Sequence, residues 1–125
     1  MAIKWINLKD KNGLATFYEN GIVLNTVAMA PLIHAYKAQI GIDENDNIII
    51  SPISKDRYLI GDLNDSSLFG VQVTKSYVRI NSKELMKELS DNLHLTLSNE
   101  GTKFITNYDE LEGYLIIHTS KGEEK

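Results

Sequence analysis

Arg79, Lys83 and Lys87 are the residues of this chain whose types and spacing point to the most specific chemistry. Arg79 falls at the outward position of a short strand pattern, and the two lysines follow one helical turn apart. Cations placed in this way can contact phosphates and position a duplex without reading its bases. The same spacing also serves simply to solvate a helix flank, and Glu84, Glu88 and Asp91 on that segment dilute the positive field. In the first half of the chain the comparable cation is Lys37, with Lys55 and Arg57 a little further on.

The remaining polar clusters have plainer explanations. Asp43-Glu44-Asn45-Asp46-Asn47 alternates oxygens like the start of a calcium loop. Ile48 stands where that loop needs glycine and Ser54 where it needs a bidentate glutamate, so a hairpin turn is favoured. His34, His94 and His118 have no paired ligand spacing and fit surface or core-edge positions, so no metal site is expected. Asp109, Glu110 and Glu112 crowd a single turn, as solvated acids do. No nucleophile elbow, dinucleotide fingerprint or phosphate loop occurs, so neither enzymatic activity nor a cofactor is expected. Tyr18, Tyr58, Tyr77 and Tyr108 could stack on bases from a shared surface, although strand tyrosines more often act as half-buried cross-strand partners.

A chain of 125 residues, 42% hydrophobic and 24% charged, has the balance of one ordinary globular domain. It can bury roughly two-thirds of its unfolded surface without help from crosslinks. The absence of cysteine excludes a disulfide framework, thiolate catalysis and cysteine-ligated zinc. Lys4 interrupts the N-terminus too early for a signal peptide, and no apolar run reaches membrane-spanning length, so a cytoplasmic protein with no membrane contact is expected. Asn64-Asp65-Ser66 fits a polar turn better than a glycosylation site in that setting. The net charge of −4 weighs against a generic nucleic-acid binder, yet a local basic face on an acidic body remains compatible with it.

Periodicity supplies the elements that must position these residues. Residues 4–9, 14–19 and 22–24 form a predicted three-strand meander punctuated by Asn12-Gly13 and Asn20-Gly21. Asn25 can cap a following helix through Met29, Leu32, Ile33 and Tyr36, with Pro31 either starting or breaking it. Residues 38–43 and 48–53 form a hairpin whose Ile48-Ile49-Ile50 run suggests burial on both faces. A polar stretch follows, in which residues 57–60 suggest a short strand. Phe69, Val71 and Val73 alternate as one half-buried strand, and residues 77–80 form the next with Arg79 outward. Asn81 and Glu84 fit a capping box, and Leu85, Met86, Leu89 and Leu93 make a single helical stripe. Residues 104–107 and 114–118 then pair as a closing hairpin, and residues 121–125 form a frayed tail.

The chain repeats itself in this order. Ile22-Val23-Leu24-Asn25 returns 56 residues downstream as Val78-Arg79-Ile80-Asn81. Each echoed strand is the return strand of an opening hairpin and leads into a helix, and each helix leads into a second hairpin. The predicted architecture is therefore a mostly β fold with short helices, one compact domain over residues 1–125. It divides into repeat 1 (about residues 14–53), a linker (54–67) and repeat 2 (about 68–119). Each β-β-α-β-β unit is too small to bury both its helix stripe and its sheet face, whereas two on a pseudo-twofold axis can do so.

That order resembles the swapped-hairpin DNA-binding domain of the AbrB, SpoVT and MraZ regulators. The run from Ala15-Thr16-Phe17-Tyr18 through Asn20-Gly21 to Asn25 is similar to the family's opening hairpin. Residues 81–93, the linker through Gly101, and residues 103–119 resemble its helix and closing hairpin. The resemblance implies two interleaved units in one barrel-like body, a homodimeric habit, double-stranded DNA as partner and a role in transcription regulation. On that basis Arg79, Lys83, Lys87 and Lys37 are the candidate nucleic-acid contacts. The alternative is a protein-binding or assembly module on the same fold, favoured by the acidic balance and by the absence of Lys and Arg from residues 14–30. In that alternative a strand edge at residues 57–60 would receive the partner.

Overall fold

The computed structural model describes Ile3 and residues 13–119. The strand predicted over residues 4–9, the first half of the Asn12-Gly13 turn and the tail from residue 121 lie outside the described residues.

The described residues form a mostly β fold, with two α-helices and a nearly closed antiparallel sheet. Strand β1 (Gly13–Tyr18) turns at Glu19-Asn20 into β2 (Gly21–Leu24), and β3 (Lys37–Ile42) turns over residues 43–47 into β4 (Ile48–Ile53). Helix α1 (Lys55–Ile60) precedes the short strands β5 (Leu68–Gly70) and β6 (Gln72–Val73). Strand β7 (Val78–Asn81), helix α2 (Lys83–Leu93) and the hairpin of β8 (Thr102–Asp109) with β9 (Tyr114–Ile117) complete it. The order across the sheet is β5-β3-β4-β9-β8-β1-β2-β7-β6. Its two outermost strands, β5 and β6, are joined through Val71 alone, so the sheet curls until its ends nearly meet.

Alternation decides which side chains fill that curl. Ala15 and Phe17, Ile22 and Leu24, Ile48 and Ile50, Val78 and Ile80, Leu115 and Ile117 all point into one buried cluster. Leu85, Met86, Leu89 and Leu93, at helical spacing on α2, join it, as do Ala28, Met29 and Leu32 from the segment after β2. Each large side chain so buried stabilises the fold by roughly 1.5–3 kcal/mol relative to exposure.

Strand pairing links the two halves more than it links either half to itself. Thr16↔Val23 and Phe17↔Ile22 in β1–β2 recur 56 positions on as Gln72↔Arg79 and Val73↔Val78 in β6–β7. The echo segments pair with each other: Ile22↔Ile80 and Leu24↔Val78 exchange under the same shift, with Val23↔Arg79 at their centre. β1 pairs with β8 and β4 with β9, so each hairpin of one half is bracketed by strands of the other.

Several local expectations are corrected. Residues 57–60 belong to α1 and not to a strand. Ser54 Oγ accepts from Arg57 N–H at its start, and Gly61 closes it with φ 84°. The run 69–73 is not one strand. It breaks at Val71, with β5 pairing to β3 and β6 to β7, because one segment must serve both ends of the sheet. The helix expected through Met29, Leu32, Ile33 and Tyr36 is only a 3₁₀ turn, Ala30–Leu32, and Pro31 lies within its first turn, where its missing N–H costs nothing. Asn25 does accept from Ala28 N–H, as a cap should, but the cap of α2 is Ser82, whose hydroxyl accepts from Leu85 N–H. Asn81 is the last residue of β7, so the Asn81–Glu84 box does not form. Finally, Ile49 is only half-buried between the wholly buried Ile48 and Ile50, so that run is not buried on both faces.

Candidate nucleic-acid interface

Arg79 takes its outward position from its neighbours: Val78 and Ile80 are wholly buried, and strand alternation turns the guanidinium to the opposite face. Its Nε donates to Asn81 Oδ1 at 2.5 Å, and Asn81 Nδ2 donates in turn to Gln72 Oε1 at 3.2 Å. The guanidinium carbon lies 6.0 Å from the centroid of the Tyr18 ring on β1, at the limit of a cation–π contact. One donor of the fork is therefore spent on orientation, and the hydrogen bond and ring hold the group at low entropic cost. Among five donors that leaves an oriented fork of the kind that suits phosphate.

The outer face continues across the sheet as one cross-strand row. Lys103 lies opposite Thr16, Thr16 opposite Val23, Val23 opposite Arg79, and Arg79 opposite Gln72. Lys103 and Arg79 are three strand steps apart, about 14 Å at ordinary strand spacing. The residues between them, Thr16 and Val23, are short and half-buried, so nothing bulky rises from the row between its two cations. Lys103 escaped the sequence reading because its proximity to Arg79 depends on strand order, for which a single sequence carries no local signal.

Lys37 reaches the same part of the sheet from the other side. It lies opposite Gly70 on β5, while Arg79 lies opposite Gln72 on β6, so the two cations flank one short segment. Lys37 Nζ sits 5.8 Å from the Tyr36 ring centroid and Lys55 Nζ 5.9 Å from it. Tyr36 also packs against Tyr58 at 5.0 Å between centroids. The Asp65 carboxylate, through side-chain hydrogen bonding and its charge, raises the Tyr58 phenol above the ordinary tyrosine range.

The two helix lysines are placed differently. Lys83 is the exposed first residue of α2, just beyond Ser82, whose N–H donates to Asn20 O on the β1–β2 turn. Lys87 is engaged by Asp91 at 3.1 Å and lies along a groove with Glu84 and Glu88. An exposed pair of that kind adds little stability, but it removes Lys87 as an unopposed charge. The structure thus brings Arg79 and Lys37 to the sheet, adds Lys103, and leaves Lys87 among acids.

The other sequence candidates are turned inward on their own backbone or lie apart. Asp43 Oδ1 accepts from the N–H groups of Asn45 and Asn47, and Asp46 adopts φ 66°, the arrangement of a hairpin turn. His118 Nε2 lies 2.6 Å from Asn107 Oδ1, His94 ends α2 with φ 57°, and His34 is exposed. Of the tyrosines, Tyr18 belongs to the Arg79 site, whereas Tyr77 and Tyr108 are exposed elsewhere.

Comparison with protein-family models, curated proteins and solved structures returned no match. No helix among the described residues is long and apolar enough to cross a membrane.

Proposed function

We propose that this chain is a cytoplasmic regulator that binds double-stranded DNA through the outer sheet face centred on Arg79, contacting phosphates and not base edges. The observation that carries the reading is the oriented Arg79 at the centre of the β2–β7 pairing, in one row with Lys103 and across a single segment from Lys37. A half-buried row with cations at intervals suits a backbone that presents charge at intervals, and it needs no pocket. We further propose that the fold is a duplicated swapped hairpin of the AbrB-like kind. The 56-residue recurrence of the β1–β2 register in β6–β7 supports it, as does the self-paired echo.

Fluorescence anisotropy with a labelled 20-base-pair duplex across a salt series tests the binding. The expected result is affinity that falls steeply as salt rises and is weakened by Arg79→Ala. Affinity that is negligible at low salt, or flat with salt, would refute it.

The second reading, a protein-binding module, keeps one specific support: the acidic edge of α2, where Glu84 and Glu88 outnumber the already paired Lys87. Its expected docking edge at residues 57–60 is helical, so a partner would have to use another part of the sheet.

A further inference from the structure

The sheet is not closed everywhere. The β3–β5 ladder ends at Gln39↔Leu68, and no strand of the described chain is registered opposite Gly41 or Ile42 on that side. Asp43 N–H donates to Asn47 O across the hairpin, which fixes the alternation along β3. The N–H and C=O of Ile42 consequently point away from β4, toward the open side. Beside this edge runs a groove of about 670 Å³ between β3, β5 and α2. Its apolar surface comes from Ile40, Ile42, Phe69, Leu85 and Leu89, and its rim carries Glu84 and Glu88. Ile42 is 37% exposed although its parity along β3 matches that of buried Ala38.

We propose that this groove takes an extended, basic segment of another protein, which adds a strand to the Ile42 edge of β3. Three features choose that occupant. The outward main-chain groups of Ile42 supply ladder hydrogen bonds, which a helical ligand could not use. The apolar surface accepts the alternate side chains that an added strand directs inward. The rim is acidic once Lys87 is paired with Asp91 at 3.1 Å, so lysine or arginine in the remaining positions is complementary, and an acidic segment would be repelled. The site goes beyond the nucleic-acid reading and does not depend on it, since neither Arg79 nor Lys103 lines the groove.

The test uses the full chain and two labelled hexapeptides, one alternating valine with lysine and one alternating valine with glutamate. Anisotropy should show saturable binding of the valine–lysine peptide and at least tenfold weaker binding of the valine–glutamate peptide. Glu88→Lys, an exposed substitution that leaves the core intact, should weaken the first by at least fivefold. Amide spectra should show the largest shifts at Gly41 and Ile42, with slowed exchange of the Ile42 amide. Equal binding of both peptides, indifference to Glu88→Lys, or shifts confined to other surfaces would each overturn the proposal. So would concentration-dependent dimerisation that protects Ile42 without peptide, because the occupant would then be a second copy of this chain.

Discussion

Val23 and Arg79 lie directly opposite each other at the centre of the β2–β7 pairing, and they occupy equivalent places in the two copies of the echoed strand. The relationship has a functional edge because the positions are not chemically equal. Where the first copy offers a half-buried apolar side chain, the second offers a cation braced by Asn81 and Tyr18. A surface that is symmetric in backbone is thus asymmetric in charge, and ligand contact is expected to centre on the second copy.

Arg79→Ala should therefore weaken duplex binding and reduce the magnitude of the salt slope by about 1, the signature of one lost phosphate contact. Stability should fall only slightly, by about 0.5–1 kcal/mol, because the lost interactions are a surface hydrogen bond and a distant ring contact. Lys87→Ala should leave the slope nearly unchanged, since Asp91 already engages that charge. Parallel salt titrations of the two variants check both statements.

The two asparagines of the echo should behave differently. Asn25 Oδ1 accepts from Leu14 N–H and Ala28 N–H, both at 3.0 Å, tying the hairpin to the following turn. Asn25→Ala leaves two part-buried donors unsatisfied and is expected to cost about 1–3 kcal/mol in chemical denaturation. Asn81 is exposed and bonds only side chains, so Asn81→Ala should cost about 0.5 kcal/mol or less.

Gly21 lies opposite Asn81 in the same pairing. A Cβ there would press into the Ile80 carbonyl oxygen and come within 3.0 Å of Asn81 Cα, both backbone atoms that cannot swing aside. Gly21→Ala should destabilise the fold by about 1–3 kcal/mol, measured by urea unfolding, as overpacking does. Gly41→Ala meets no atom within 4 Å and serves as the matched control, with little change expected.

Tyr58 gives a pH dependence whose sign follows from the influence of the Asp65 carboxylate on its phenol. The folded phenol titrates above its ordinary value of 10.0, so the contribution is present in full below about pH 10 and is lost as pH rises through the raised folded value. Thermal melts from pH 9 upward should show wild type losing an advantage over Asp65→Asn as pH rises past 10. A difference that is constant across the range would contradict the assignment.

Much of the fold was legible because its signals are local. The stripe Leu85, Met86, Leu89 and Leu93 needed only helical spacing, and the outward face of Arg79 needed only strand alternation. Where two local signals competed, sequence reasoning chose wrongly. Asn81 and Ser82 are both good caps, and the strand β7 runs one residue further than the pattern suggests. Residues 57–60 suggest a short strand before Gly61, whereas Ser54 and Gly61 mark the two ends of a helix. The break at Val71 and the nearness of Lys103 to Arg79 had no local signal, because both arise from how the sheet closes. The candidate site was thus half visible: its central arginine was legible, while its strand-distant lysine was not.

The most direct test of nucleic-acid contact at the Arg79 face is amide chemical-shift mapping of the full chain with a short duplex at low salt. Shifts concentrated at Thr16, Tyr18, Val23, Gln72, Arg79 and Lys103, and reversed by added salt, are the predicted result. Shifts confined to α2, or none at duplex concentrations that saturate ordinary non-specific binders, would contradict it.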